Sequence, residues 1–119
     1  MAYELIAFDM DGTLLDSHKE VQRSSVDAIS EAVAAGKHVA IASGRCPRMV
    51  SMYRESIPGV RYAICCAGAI VFDLAANRVL SEADIAPEVV ARAIHTADEE
   101  GDYVLEVTTG LGIAMERHG

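Results

Sequence analysis

An α/β fold built on a parallel sheet, with helices on both of its faces, is predicted for this chain by three observations. Short apolar runs recur at Leu5-Ile6-Ala7-Phe8, Val39-Ala40-Ile41-Ala42 and Tyr62-Ala63-Ile64-Cys65-Cys66. Segments with helical spacing of apolar residues separate them, the alternation that produces crossover connections. The runs are continuous rather than interleaved with polar residues, as in strands covered on both sides.

Each element has a local cause. Leu5-Ile6-Ala7-Phe8 is too short for a helix and ends at acids and a glycine, so it reads as a strand running into a turn. Residues 21–35 carry Val26, Ile29, Ala32 and Val33 at helical spacing, and Gly36 supplies a stop. The second strand exits through Ser43-Gly44-Arg45, and Pro47, tolerated in a first helical turn, opens a helix running to about Ser56. Ile57-Pro58-Gly59 breaks that helix before the third strand. Beyond Gly68, Ile70-Val71-Phe72 and Arg78-Val79-Leu80 flank Ala75-Ala76-Asn77 as a hairpin. Pro87 opens a further helix with Val89, Val90, Ala93, Ile94 and Ala97 on one face, closing near Gly101. Residues 103–107 and 113–116, joined through Thr109-Gly110, read as an antiparallel pair. The sum is a Rossmann-like core over residues 1–84 and, over 85–119, the start of a second α+β unit. An isolated hairpin is marginal in water, so that second sheet reads as unfinished.

Composition narrows the function classes. Hydrophobic residues make up 51% of the 119, enough for a packed core, and no stretch approaches the roughly 18 apolar residues of a membrane span. The start, Met1-Ala2-Tyr3-Glu4, lacks the basic segment and long apolar run of a secretory signal. A soluble, cytoplasmic protein with no membrane partner is expected. Ten Lys and Arg against 18 Asp and Glu leave a formal charge of -8, which repels phosphate backbones and argues against a nucleic acid partner. Cys46, Cys65 and Cys66 are odd in number and two are adjacent, so they read as small buried apolar groups in a reducing compartment.

The chemistry concentrates at Asp9-Met10-Asp11-Gly12-Thr13. Residues two apart on a strand share a side, so Asp9 and Asp11 leave the first strand as neighbours. Ligands in open α/β sheets collect outside the carboxyl ends of the strands. Hydrolysis of a phosphate monoester needs a nucleophile, neutralised oxygens and a proton for the departing oxygen. Asp9 can attack as a carboxylate and form an acyl phosphate, while Asp11 can protonate the leaving group and later take a proton from water. Gly12 permits a tight turn whose amides can donate to phosphate oxygens, and Thr13 either caps the loop or contacts an oxygen. Ser43 and Gly44 offer a hydroxyl and an amide from the neighbouring strand, or else cap the turn that follows it. Mg²⁺ is the natural ion for such hard oxygen donors. Asp16 and Ser17 read as caps in the loop after the motif. His18, His38, His95 and His118 lack a mutual metal-site spacing, and Met49, Val50, Met52 and Tyr53 read as a core-facing helical stripe.

FDMDGTLLDS over residues 8–17 and IASGR over residues 41–45 resemble the first and second motifs of the haloacid dehalogenase-like hydrolases, in particular the Cof-type phosphatases with a large inserted cap. The resemblance implies Asp9 as nucleophile and magnesium ligand, Asp11 as acid/base and magnesium ligand through its backbone carbonyl, and Ser43 as a phosphate holder. It gives Arg45 a substrate or cap contact, against the plainer reading of a surface ion pair. It also implies Mg²⁺ as cofactor, a small phosphorylated metabolite as substrate, and residues 85–119 as the opening of the cap.

Two departures from the family pattern shape the remaining expectations. Ala67-Gly68-Ala69 stands where relatives usually show Asn-Gly-Ala, so a polar side chain is missing while Gly68 keeps the loop pliable beside the phosphate. Relatives also carry a later lysine and an acidic motif, whereas the lysines here, Lys19 and Lys37, read as solvated surface charges. The chain alone is therefore expected to be nearly inactive, with a homo-oligomer or a complementing chain as the arrangements able to supply the rest. Rival readings are a phospho-accepting receiver module and a non-catalytic phosphate-binding fragment. A receiver would fold residues 87–119 into the first sheet.

Overall fold

The computed structural model describes residues 3–101, 104–109 and 112–117, so Tyr103, Gly110 and His118 lie outside the described residues. Strands β1 (Leu5–Asp9), β2 (His38–Ala42) and β3 (Tyr62–Cys65) are joined through α1 (Arg23–Ala34) and α2 (Pro47–Ser51). A hairpin of β4 (Ile70–Asp73) and β5 (Arg78–Glu82) follows, then α3 (Pro87–Glu100), β6 (Val104–Thr109) and β7 (Gly112–Arg117). The five-stranded sheet runs β1-β2-β3-β4-β5, parallel through β3 and antiparallel beyond it. The sheet is thus mixed, because the hairpin expected after Gly68 extends the parallel triplet on its far side.

Register follows from burial. Phe8 lies opposite Ile41, Ile41 opposite Ala63 and Ala63 opposite Phe72, forming a row of core-facing side chains. Ile29 of α1 and Val50 of α2 join the same cluster, with Leu74 and Ile57. Two right-handed crossovers made in one direction along a sheet place both helices on one side of it. Among the described residues, helices therefore cover one face of the triplet. The other face carries Leu5, Ala40, Tyr62, Ile64 and Val71, which with His38 line an open apolar hollow of about 380 Å³. β1 is the edge strand on this side, and its Leu5 is 52% exposed.

Several local features depart from the simplest expectations. The helix opened by Pro47 ends at Ser51, not near Ser56. Tyr53 donates to Val50 O and Arg54 to Ser51 O, so the chain continues as three-residue turns. Met52, read with the core-facing stripe, is 79% exposed, because that turn geometry rotates it outward. Gly59 has φ 94°, and a Cβ there would meet Val33 Cγ2 at 3.2 Å, so the break after α2 needs glycine both for its backbone and for its contact with α1. On α3, Val90, Ile94 and Ala97 are half-buried at helical spacing, while β6 pairs with β7 in a sheet of its own. No helix among the described residues is long and apolar enough to cross a membrane.

The hairpin turn is fastened by Asp73, whose side chain is almost fully buried. Its Oδ1 accepts the Ala76 amide at 2.9 Å, and its Oδ2 lies 3.5 Å from Arg61 Nη2. The Ala76 amide first, with the Arg61 charge after it, holds the Asp73 carboxyl below its ordinary value of 3.8. A carboxyl with a depressed folded pKa contributes stability above its unfolded pKa and loses it as pH falls through the folded value. Asp73→Ala should therefore unfold at lower urea concentration than the unsubstituted chain at neutral pH, and the gap between the two should close on acidification below 3.8. A gap unchanged by acid would assign the effect to packing instead of charge.

Candidate active site

The first motif works as an anchor and as a display. Met10, Leu14 and Leu15 are 0%, 4% and 3% exposed, and they plug the loop into the core. Asp9 before Met10, and Asp11, Gly12 and Thr13 between Met10 and Leu14, are exposed. Gly12, at φ 78°, lets the chain reverse so that Leu14 donates to Asp9 O at 3.2 Å and Leu15 to Met10 O at 2.8 Å. Thr13 donates its amide to Met10 O within the same turn. Asp16 then accepts the His18 and Glu20 amides at 2.8 and 3.0 Å, shaping the following loop as its expected cap.

Parallel pairing of β1 with β2 sets Asp9 opposite Ala42, and pairing of β2 with β3 sets Ala42 opposite Ile64. The three strand ends consequently share one rim. Asp9, Ala42, Ser43, Gly44, Ile64, Ala67 and Gly68 line an open cavity of about 320 Å³ there. Asp9 Oδ1 accepts the Met10 amide at 2.9 Å. Ser43 Oγ accepts the Arg45 amide at 3.0 Å, which is the capping role, and its hydroxyl proton remains a donor for a bound oxygen.

The loop after β3 is fastened to the loop after β2: Cys66 donates to Arg45 O at 2.9 Å and Ala67 to Ser43 O at 3.1 Å. Holding that shape puts Cys66 at φ 51°, Ala67 at φ 55° and Gly68 at φ 102°, all left-handed. A left-handed conformation costs a non-glycine residue about 1–2 kcal/mol. Asn tolerates this conformation better than Ala, so Ala67 adopts under strain a backbone that an Asn would fit. Cys46 and Cys65 are buried as expected, and burial pushes the Cys65 thiol up to about 11, which keeps it a packing group.

Asp11 takes a different position from the one its spacing suggested. It does not line the cavity but is gripped beside it: Arg45 donates through Nε at 3.1 Å and Nη2 at 3.0 Å, and Lys19 through Nζ at 2.8 Å. The Arg45 guanidinium, then the Lys19 ammonium, hold the Asp11 carboxyl well below the usual carboxylate range. Arg45 thus forms an ion pair, the plainer of its two expected roles. Lys19 is the exposed charge expected of it but is also paired, because the turn capped by Asp16 brings it back onto the motif. Tyr53 joins the cluster as well, donating its hydroxyl to Lys19 O at 3.3 Å, with the Arg45 guanidinium 5.5 Å from its ring centre. Sequence reasoning missed both residues.

The cavity brings together Asp9, Ser43, Gly44 and Gly68, while Gly12, Thr13 and Arg45 are not among the residues that line it. Among the described residues no group of three or more His, Cys, Asp and Glu converges on a point. Mg²⁺ does not require such a cage, since one or two carboxylates with substrate phosphate and water suffice. A carboxylate on the wall of an open cavity fits that demand.

Comparison with known proteins gives a consistent picture. The profile of the haloacid dehalogenase-like hydrolases matches residues 6–117. The chain is 36% identical over 91 residues to pyridoxal phosphate phosphatase YbhA of Escherichia coli K12, covering 76% of this chain and 33% of that protein. A haloacid dehalogenase-like hydrolase from B. subtilis of solved structure is 30% identical with a TM-score of 0.81, over 98% of this chain and 40% of the other. BT1666 from Bacteroides thetaiotaomicron, described among phosphatases of that superfamily, has the same fold at 24% identity and TM-score 0.81, over 98% and 42% of the two chains. The chain spans about a third of the length of the curated relatives it matches.

Ala67→Asn should raise stability by about 0.5–1 kcal/mol, through relief of the left-handed strain. A urea unfolding series that finds no gain, or a loss, would mean that the loop relaxes the strain by other means.

Proposed function

As the chain belongs to the haloacid dehalogenase-like hydrolase family, we propose that it carries the nucleophile and phosphate pocket of a Mg²⁺-dependent phosphomonoester hydrolase acting on a small phosphorylated metabolite. The single observation that supports this most is the shared cavity, where the outermost carboxylate of β1 faces the hydroxyl and amides that follow β2. Asp9 attacks phosphorus with a carboxylate oxygen, the P–O bond to the leaving group breaks, and an aspartyl phosphate forms. Ser43 and the amides around Gly44 and Gly68 hold the phosphoryl oxygens as charge moves. Asp11, once it has taken up a proton from solvent, gives that proton to the departing oxygen and then takes one from the water that cleaves the acyl phosphate. To do so it must leave the grip of Arg45 and Lys19. The Asp9 carboxylate and the Asp11 backbone carbonyl would hold Mg²⁺, which would supply neutralising charge at the phosphoryl oxygens when bound.

We further infer that this chain alone turns over slowly. Among the described residues, the unpaired edge of β1 and the apolar hollow beside it support a place for a complementing core segment there. A missing preorganised charged donor costs about 3 kcal/mol in such sites, or roughly 10²–10³ in rate. The pairing of β6 with β7 alone, apart from the five-stranded sheet, weighs against the receiver reading.

Purified chain with Mg²⁺ and an aryl phosphate should turn over far below the roughly 1–10³ s⁻¹ of ordinary enzymes. Asp9→Asn should abolish what remains. Turnover at full enzymatic rate would refute the need for a complementing segment, and turnover that survives Asp9→Asn would refute the nucleophile.

A further inference from the structure

Beside the Asp9 cavity sit two cations whose arrangement the phosphatase reading does not use. Arg45 presents Nε and Nη2 to the two oxygens of Asp11 at 3.1 and 3.0 Å, a bidentate fork, while Lys19 Nζ reaches Oδ1 at 2.8 Å. The fork is held in place on several sides. The Arg45 guanidinium lies over the Tyr53 ring, its amide bonds to Ser43 Oγ, and its side chain is 21% exposed. Lys19 is constrained too: its backbone is left-handed at φ 61°, its amide donates to Asp16 O at 3.0 Å, and its carbonyl accepts the Tyr53 hydroxyl. A left-handed lysine on a surface turn is strained, and strain of this kind persists where surrounding contacts over-determine it. Asp16 and Tyr53 provide those contacts.

A planar guanidinium fork recognises a carboxylate and a phosphate edge in the same way. Asp11, in other words, fills an oxyanion site with the chain's own carboxylate. Its side chain is 44% exposed and that of Lys19 is 60% exposed, so the pair is solvated, and solvated ion pairs are readily exchanged. Arg45 follows Ser43 by two residues and shares a hydrogen bond with it, which places the fork at the margin of the cavity. We propose that Lys19 and Arg45 form an oxyanion-binding fork that Asp11 occupies in this structure and that a phosphoryl oxygen of the substrate takes over, releasing Asp11 toward the leaving group. This rests on the reading of the cavity as a phosphoryl pocket. It assigns Lys19 and Arg45 to substrate binding and makes the arrival of substrate the event that frees the Asp11 carboxylate. Exchange of this kind follows from differential affinity, since a dianionic phosphoryl group binds two cations more tightly than one carboxylate does.

The test is calorimetric titration of inorganic phosphate into the 119-residue chain at low ionic strength without Mg²⁺. Asp11→Asn should tighten phosphate binding by about tenfold, as the fork loses its internal competitor. Adding Lys19→Gln or Arg45→Gln to Asp11→Asn should remove that gain, whereas adding Lys19→Arg should keep it. Asp9→Asn, which deletes the same charge beside the same cavity, should give a distinctly smaller gain. Equal gains from Asp9→Asn and Asp11→Asn, no gain from Asp11→Asn, or a gain that survives loss of both cations would each overturn the fork. Ser43→Ala separates the two ideas: phosphate affinity indifferent to it, with the fork's pattern intact, would remove the cavity reading and leave the fork standing. Circular dichroism of each variant, required to match that of the unsubstituted chain, keeps these outcomes interpretable.

Discussion

The site depends on the parallel register that sets Asp9 opposite Ala42 and Ala42 opposite Ile64. Side chains alternate along a strand, so a slip of one residue would turn Asp9 toward the core and Phe8 toward solvent. The register is held by what it buries. Phe8, Ile41, Ala63 and Phe72 form one row on the helix-covered face, and correct packing of that row leaves the acid at the rim on the other side. The loops that follow β2 and β3 then start from neighbouring strand ends, and two backbone hydrogen bonds tie them together around the cavity. Stability and chemistry share one cause here.

The first motif repeats that economy on a smaller scale. Met10, Leu14 and Leu15 secure the loop by burial, so the neighbouring acids Asp9 and Asp11 need no burial of their own. That separation matters because an unpaired buried carboxylate is costly, and a nucleophile must also remain accessible. Asp11 meets its electrostatic demand through Arg45 and Lys19, from positions 34 and 8 residues away. The site is therefore self-neutralised: the Asp11 carboxylate, the acid of the proposed mechanism, is paired as an anion with two cations.

Much of this was legible in the chain before its structure. The three apolar runs gave the parallel strands, Pro47 and Pro87 marked helix starts, and Gly36 and Gly101 marked the stops, both with left-handed φ. Each is a local signal, and local signals survive folding. The meeting of Asp9 with Ser43, Gly44 and Gly68 was legible at one remove, because strand ends in such sheets gather at one edge. The partners of Asp11 were not legible. They depend on how the turn at residues 16–20 doubles back, and nothing in the sequence of such a turn names the partner of an exposed lysine. The left-handed backbone at Cys66 and Ala67 was hidden for a related reason, since neither residue type signals that conformation. The end of α2 at Ser51 was obscured because Met49, Met52 and Tyr53 keep an apolar spacing that three-residue turns also satisfy.

Whether Asp9 is the phosphoryl acceptor of the cavity can be read directly with beryllium trifluoride, which mimics an acyl phosphate on an aspartate and needs no turnover. Titrated with Mg²⁺ into the ¹⁵N-labelled chain, it should shift the backbone amide resonances of Asp9, Ser43, Gly44 and Gly68 together, and the shifts should vanish in Asp9→Asn. Shifts gathered elsewhere on the molecule, or persisting after Asp9→Asn, would contradict the account.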